Sequence, residues 1–258
     1  MRVFGNILLL LLVGGASALA DPVSHSARYR MVAEQINIPG VSQVEGELIS
    51  RLEKGCNSWT QFVRVDILMA GQGMPEIHTQ NISVFQEDLA GRRMQFRTQQ
   101  ILNGQVTEEV AGTAVTGEID LTAPEQKKIK IAKDVIFPVT AMRRVLDGLD
   151  AGEKFLSHKI YDGDGEEPYL VTEMVMKELP EPGSYPAGDT GLAEGRPKRM
   201  LSSYFKLDGQ DQEPFMGIEY DLLSNGVTTR VQFDSPEMKL VGTLTHVEEI
   251  AKPDCNGT

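Results

Sequence analysis

Residues 53–67 read EKGCNSWTQFVRVDI, and the reading of this stretch decides the fold. Trp59, Val63, Val65 and Ile67, with Met69 just beyond, fall on one face of an extended chain. Thr60, Arg64 and Asp66 fall on the other, interrupted by Phe62 and Leu68. Successive side chains of a strand point to opposite faces, so this period of two predicts a strand with one apolar side. The stretch also holds Cys56, one of two cysteines, and Trp59, the sole tryptophan. Whether Cys56 is a nucleophile, a metal ligand or one end of a covalent strap separates chemistry from architecture.

The alternation recurs on both sides. In VTTRVQFD (227–234), Val227, Thr229, Val231 and Phe233 alternate with Thr228, Arg230, Gln232 and Asp234, and in KKIKIAKD (127–134) Ile129 and Ile131 sit between lysines. Similar runs begin at Ala27, Val44, Ile77, Arg92, Glu108, Lys154, Pro168, Met200, Phe215 and Lys239. Between them fall turn dipeptides, Asn-Gly at 103–104 and 225–226 and Asp-Gly at 208–209. Short strands at even spacing predict an all-β antiparallel meander, barrel or sandwich. One segment departs from this. Val139, Met142, Leu146 and Leu149 recur at helical spacing, which predicts one helix over about 139–150 with Thr140 as its cap. The Pro- and Gly-rich stretch 178–198 reads as a long loop within one continuous sheet.

Residues 1–20 set the compartment. Arg2 gives a positive start, ILLLLLV an apolar core, and ASALA the small-x-small pattern of a signal-peptidase site. The apolar run is shorter than the roughly 20 residues of a membrane-spanning helix, so cleavage after Ala20 is expected. The remaining 21–258 is expected to form one exported β domain with no transmembrane segment. Without Arg2 the mature chain carries 24 basic and 37 acidic side chains, a net −13. That balance argues against nucleic acid and anionic membrane surfaces as partners. In an oxidising compartment, two cysteines are most simply read as one disulfide between Cys56 and Cys255. Free thiols or a ligand role are the alternatives.

The search for chemistry returns little. There is no G-x-S-x-G, no nucleotide-binding glycine loop and no H-E-x-x-H. His78, His158 and His246 are each isolated in strand-like segments, and His25 is placed in an N-terminal tail. Asp162, Asp164, Glu166 and Glu167 in YDGDGEEP offer oxygens to Ca²⁺, but the run lacks the rest of an EF-hand loop and reads first as a tight turn. Lys127, Lys128, Lys130 and Lys133 read as the guarded edge of a sheet. No catalytic residue, metal or cofactor is expected.

The order of features resembles the EipB-like family of periplasmic cell-envelope-integrity proteins of alphaproteobacteria, across about residues 27–255. The resemblance rests most on Cys56-x-x-Trp59, on Phe137-Pro138 before the helix, and on Tyr161-Asp162-Gly163 after AGEKF. Ser58 stands where the family pattern has Gly. The resemblance implies a many-stranded β-spiral, an open barrel-like sheet wrapped around one helix, with Cys56 and Cys255 as its disulfide. It also implies a non-catalytic role in envelope integrity under stress. The expected partner is a periplasmic or envelope protein, the alternative a lipid or lipopeptide held in the concave face.

Overall fold

A computed structural model describes residues 20–207 and 213–255. The expected signal peptide, apart from Ala20, and the Asp-Gly turn at 208–209 lie outside the described residues. The N-terminal strands are β1 (His25–Ile36), β2 (Gln43–Lys54), β3 (Ser58–Ala70), β4 (Ile77–Asp88), β5 (Arg93–Leu102), β6 (Gln105–Val115), β7 (Glu118–Ala123) and β8 (Lys127–Lys130). After β9 (Val135–Ile136) comes the helix α1 (Pro138–Asp150). Then follow β10 (Phe155–Ile160), β11 (Tyr169–Glu178), β12 (Lys198–Lys206), β13 (Met216–Leu222), β14 (Thr228–Asp234) and β15 (Met238–Glu249). Gly104 and Gly226, second residues of the two Asn-Gly turns, have φ of 79° and 88°, where an L side chain is strained.

All the described strands lie in one sheet, ordered β8-β7-β6-β5-β4-β3-β2-β1-β15-β14-β13-β12-β11-β10-β9. The first and last strands, β1 and β15, pair antiparallel at its middle. One arm runs outward from that seam through β2 to β8, the other through β14 to β9. No ladder joins β8 to β9 among the described residues, so the sheet is open. It closes by overlap instead. Val135 of β9 and Tyr161 after β10 are buried against Phe96, Ala114, Ile119 and Leu121 of the first arm. The Tyr161 ring meets Phe96 edge-on at 5.3 Å, and Lys127 of β8 ion-pairs with Glu166. The second edge is tucked inside the first, as in a rolled mat.

The helix lies in the roll. Val145, Leu146 and Leu149 pack on Met200 and Leu222 of the second arm, while Val139 packs with Leu52 and Trp59 of the first. Helix and strand periodicities therefore meet on one interior, which is why the single break in the period-two pattern is central rather than peripheral. The helix starts one residue before the expected boundary, with Phe137 as N-cap and Pro138 at the first turn, where its missing N–H costs nothing. Thr140 is not the cap. It is the third helical residue, and its hydroxyl bonds to Glu87 of β4. His25 is not in a tail either: it opens β1, buried, with Nδ1 bonded to the Val23 carbonyl at 2.8 Å. The 179–197 loop joins neighbouring strands β11 and β12 and folds back on β15 through Ala187, which pairs with His246.

Candidate functional site

The antiparallel order gathers chain connections at two ends of the roll. At one end lie the N-terminal segment 20–24, the β2–β3 and β4–β5 turns, the helix and the C-terminal tail. Cys56 and Cys255 are joined there, with Cα atoms 5.6 Å apart and both residues exposed. The bond walls one side of a cleft of about 540 Å³ that also includes Pro22, Trp59, Leu89 and Pro253. Trp59 is 1% exposed, and its indole N–H has no hydrogen-bond partner. The Lys54 ammonium sits 5.5 Å from the centre of its ring. Lys54 and Arg143 both pair with Asp21, the latter at 2.9 Å.

The helix start at this end is held by a side chain from the sheet. Glu87, 1% exposed, accepts from the backbone N–H of Val139 at 2.9 Å and of Thr140 at 3.0 Å. Four N–H groups at a helix start lack intrahelical partners, and the positive end of the helix dipole favours a carboxylate. Burial pushes the Glu87 carboxyl upward, and the bonds from Thr140 and Val139 oppose that shift. Glu87 is an architectural carboxyl that fixes the helix start against β4.

Running from the helix start, where Pro138 lines it, toward the other end, α1 and the second arm enclose a cavity of about 230 Å³. Its walls are Met142 and Val145 of the helix and Ile218, Tyr204 and Tyr220 of the sheet, with Glu173 and Asp162 as its charges. Glu173 is 7% exposed. Its Oε2 accepts from the Ser202 hydroxyl at 2.5 Å and the Tyr220 hydroxyl at 2.9 Å. Burial pushes its carboxyl upward against those two bonds. Asp162 is likewise pushed up by burial. Asp164, beside it, rises to about 6 through burial and the nearby Asp162 and Glu108 charges. Tyr169, Tyr204 and Phe215 form an aromatic group at this end, with ring centres 5.2 and 6.3 Å from Phe215.

The residues singled out from sequence form two groups that meet at the helix start, where Phe137 and Tyr161 share one buried cluster and Pro138 lines the cavity. Cys56, Cys255, Trp59, Phe137 and Pro138 belong to the strap and helix start. Tyr161, Asp162 and Gly163 belong to the turn beside the cavity. The Tyr161 hydroxyl donates to the Gly165 carbonyl at 2.9 Å, and the Asp164 N–H to Asp162 Oδ1 at 3.2 Å, which is turn geometry. Gly163 has φ 74°, and a Cβ there would meet the Phe96 ring at 2.9 Å. Among the described residues no group of three or more His, Cys, Asp or Glu is placed to hold a metal ion. His78, His158 and His246 lie on β4, β10 and β15, which are not neighbours in the sheet. Glu87 and Glu173 escaped the sequence reading, although alternation carried the signal: each is a carboxylate on the apolar parity, Glu87 with Phe85, Glu173 with Val171 and Val175.

With the geometry in place, known proteins can be set beside it. The EipB-like family model matches residues 16–251. The cell envelope integrity protein EipB of Brucella abortus (strain 2308) is 22% identical over 246 residues, covering 91% of this chain and 88% of the relative. The fold also matches the crystal structure of a β-barrel-like protein, domain of unknown function DUF1849, from Brucella abortus. That match has a TM-score of 0.81 at 20% identity, covering 90% of this chain and 100% of the other.

Proposed function

The chain belongs to the EipB-like family, and from this premise we propose that it is a non-catalytic periplasmic protein that maintains cell-envelope integrity by contacting a protein partner. The observation that carries the envelope role is the family match, which spans nearly the whole sheet together with the helix and includes a relative named for that role. The mode of action draws on how the chain uses its two faces. The concave face is occupied by α1 and by the tucked β9 edge. On the outer face, Phe155 and Met174 pair across β10 and β11, and Met176 follows at a bulge between Val175 and Lys177. They are 60, 40 and 51% exposed. Contiguous exposed apolar side chains on a strongly acidic protein suit a partner surface. A lipid or lipopeptide held in the concave face draws less support, because the cavity beside the helix, about 230 Å³, falls below the ~300–1,000 Å³ of ordinary ligand pockets.

Two measurements test this reading. A strain lacking the protein should be sensitised to detergent and to cell-wall antibiotics, and the intact gene should restore resistance. A photocrosslinking residue at Met176 should yield a discrete protein adduct in living cells, absent when the same residue replaces Glu76 in the distant β3–β4 turn. Normal envelope resistance without the protein would remove the envelope role. Loss of the Met176 adduct with resistance intact would remove only the partner surface.

A further inference from the structure

The cavity between α1 and the second arm has an electrostatic property that the partner reading leaves unused. It encloses carboxyl groups and no base. Neither Lys, Arg nor His is among the residues that line it, and the buried Glu173 meets only the neutral hydroxyls of Ser202 and Tyr220. A carboxylate removed from water without a counter-charge is costly, and a protein ordinarily meets that cost with a paired base or a captured proton. The upward displacement of Glu173 and Asp162 reports the same deficit: burial heads the causes for both, and no cation offsets it. The contrast with Asp221 on the outer face is direct. That buried carboxylate holds the Arg199 guanidinium bidentately, at 2.7 and 2.9 Å.

The walls supply the rest of a recognition site. The faces of aromatic rings attract cations, Tyr included, and Tyr204 and Tyr220 line the cavity. Tyr204 continues into the group with Phe215 and Tyr169. Met142 and Ile218 provide apolar surface for a short alkyl chain, and methionine adapts to different shapes. Small volume, acidic charge and aromatic walls converge on one chemistry.

We propose that this cavity binds a small organic ammonium ion, with the charged nitrogen between Glu173 and Asp162 and a short alkyl portion against Met142 and Ile218. The site does not depend on the envelope role or on the outer-face partner, and it can fail or stand alone.

Calorimetry and NMR titration of the folded, oxidised protein with butylammonium, choline, butanol and butyrate test it. Butylammonium or choline should bind saturably, with butanol and butyrate at least about tenfold weaker, since one buried charge contact is worth more than that factor. Glu173→Gln, which keeps the shape and an acceptor for Ser202 and Tyr220, should weaken binding at least about tenfold. Asp162→Asn should weaken it less, and thermal unfolding verifies that both variants are folded. Equal binding of butanol, full binding by Glu173→Gln, or no saturable binding of either ammonium would overturn the assignment. So would binding to phosphatidylcholine vesicles without binding of free choline, which moves recognition to a lipid surface.

Discussion

Two carboxylates beside α1, Glu87 and Glu173, are buried among different partners. At the strap end, Glu87 receives two backbone N–H groups and a hydroxyl from the start of α1. In the cavity, Glu173 has two hydroxyls and, among the described residues, no base, with Asp162 also lining the walls. A satisfied buried charge fixes one element against another. An under-compensated one leaves interaction energy available to something else. The difference separates a carboxylate that fixes the helix to the sheet from one that faces an open cavity.

The contrast can be broken most forcefully at the strap. The disulfide closes a loop spanning 199 positions. In the chain-entropy model such a loop stabilises by at most roughly 5 kcal/mol. Full reduction, or Cys56→Ser, should therefore lower the melting temperature by up to about 10–20 °C for a chain of this size, with far-UV circular dichroism still reporting strands. A melting temperature unmoved by complete reduction would show that the bond holds nothing the sheet does not already hold.

Next in size is a matched pair of substitutions. Glu87→Ala leaves buried helix N–H groups without an acceptor and should cost about 3 kcal/mol in urea unfolding. Glu173→Gln should fall within about 1 kcal/mol of wild type, because it removes a buried charge that had no counter-ion. If the two variants prove equally destabilising, the distinction between the two carboxylates fails.

The smallest effect is a slope. Asp164 has its folded-state affinity for protons raised, from 3.8 to about 6. The stability it contributes is complete below its unfolded value and is lost as pH rises through about 6. Melting temperatures measured from pH 4 to 7 should decline less in Asp164→Asn than in wild type. A steeper decline in the variant would reverse the sign.

Much of the fold was legible in the sequence because strands and helices write different periods. The alternation after Trp59, the Asn-Gly turns and the single helical run at 139–150 each led to the observed element. The cysteine pair was legible from compartment and count. What was not legible depended on meetings across the roll. Thr140 looked like a cap because its side chain suits that role locally, yet the true acceptor, Glu87, lies 53 positions earlier and arrives only when the sheet curls. His25 looked like tail because strand β1 begins abruptly after a short approach, with little pattern to its N-terminal side. Glu173 showed as a parity violation among Val171 and Val175, but only the curl reveals that no base answers it.

The seam between β1 and β15 has a consequence for how the molecule is made. Each arm is a meander whose strands pair largely with their sequence neighbours, so either can zip locally as it leaves the ribosome. The joint cannot. Its second half is residues 238–249, the last of the described strands, and it must slot between β1 and β14. A chain stopped short of residue 238 would hold two assembled halves with exposed edges and no means of joining them, which is the state most open to misassembly. The nascent protein therefore stays in two pieces until residues 238–249 are made, and Cys255, a few positions further on, follows to seal the joint.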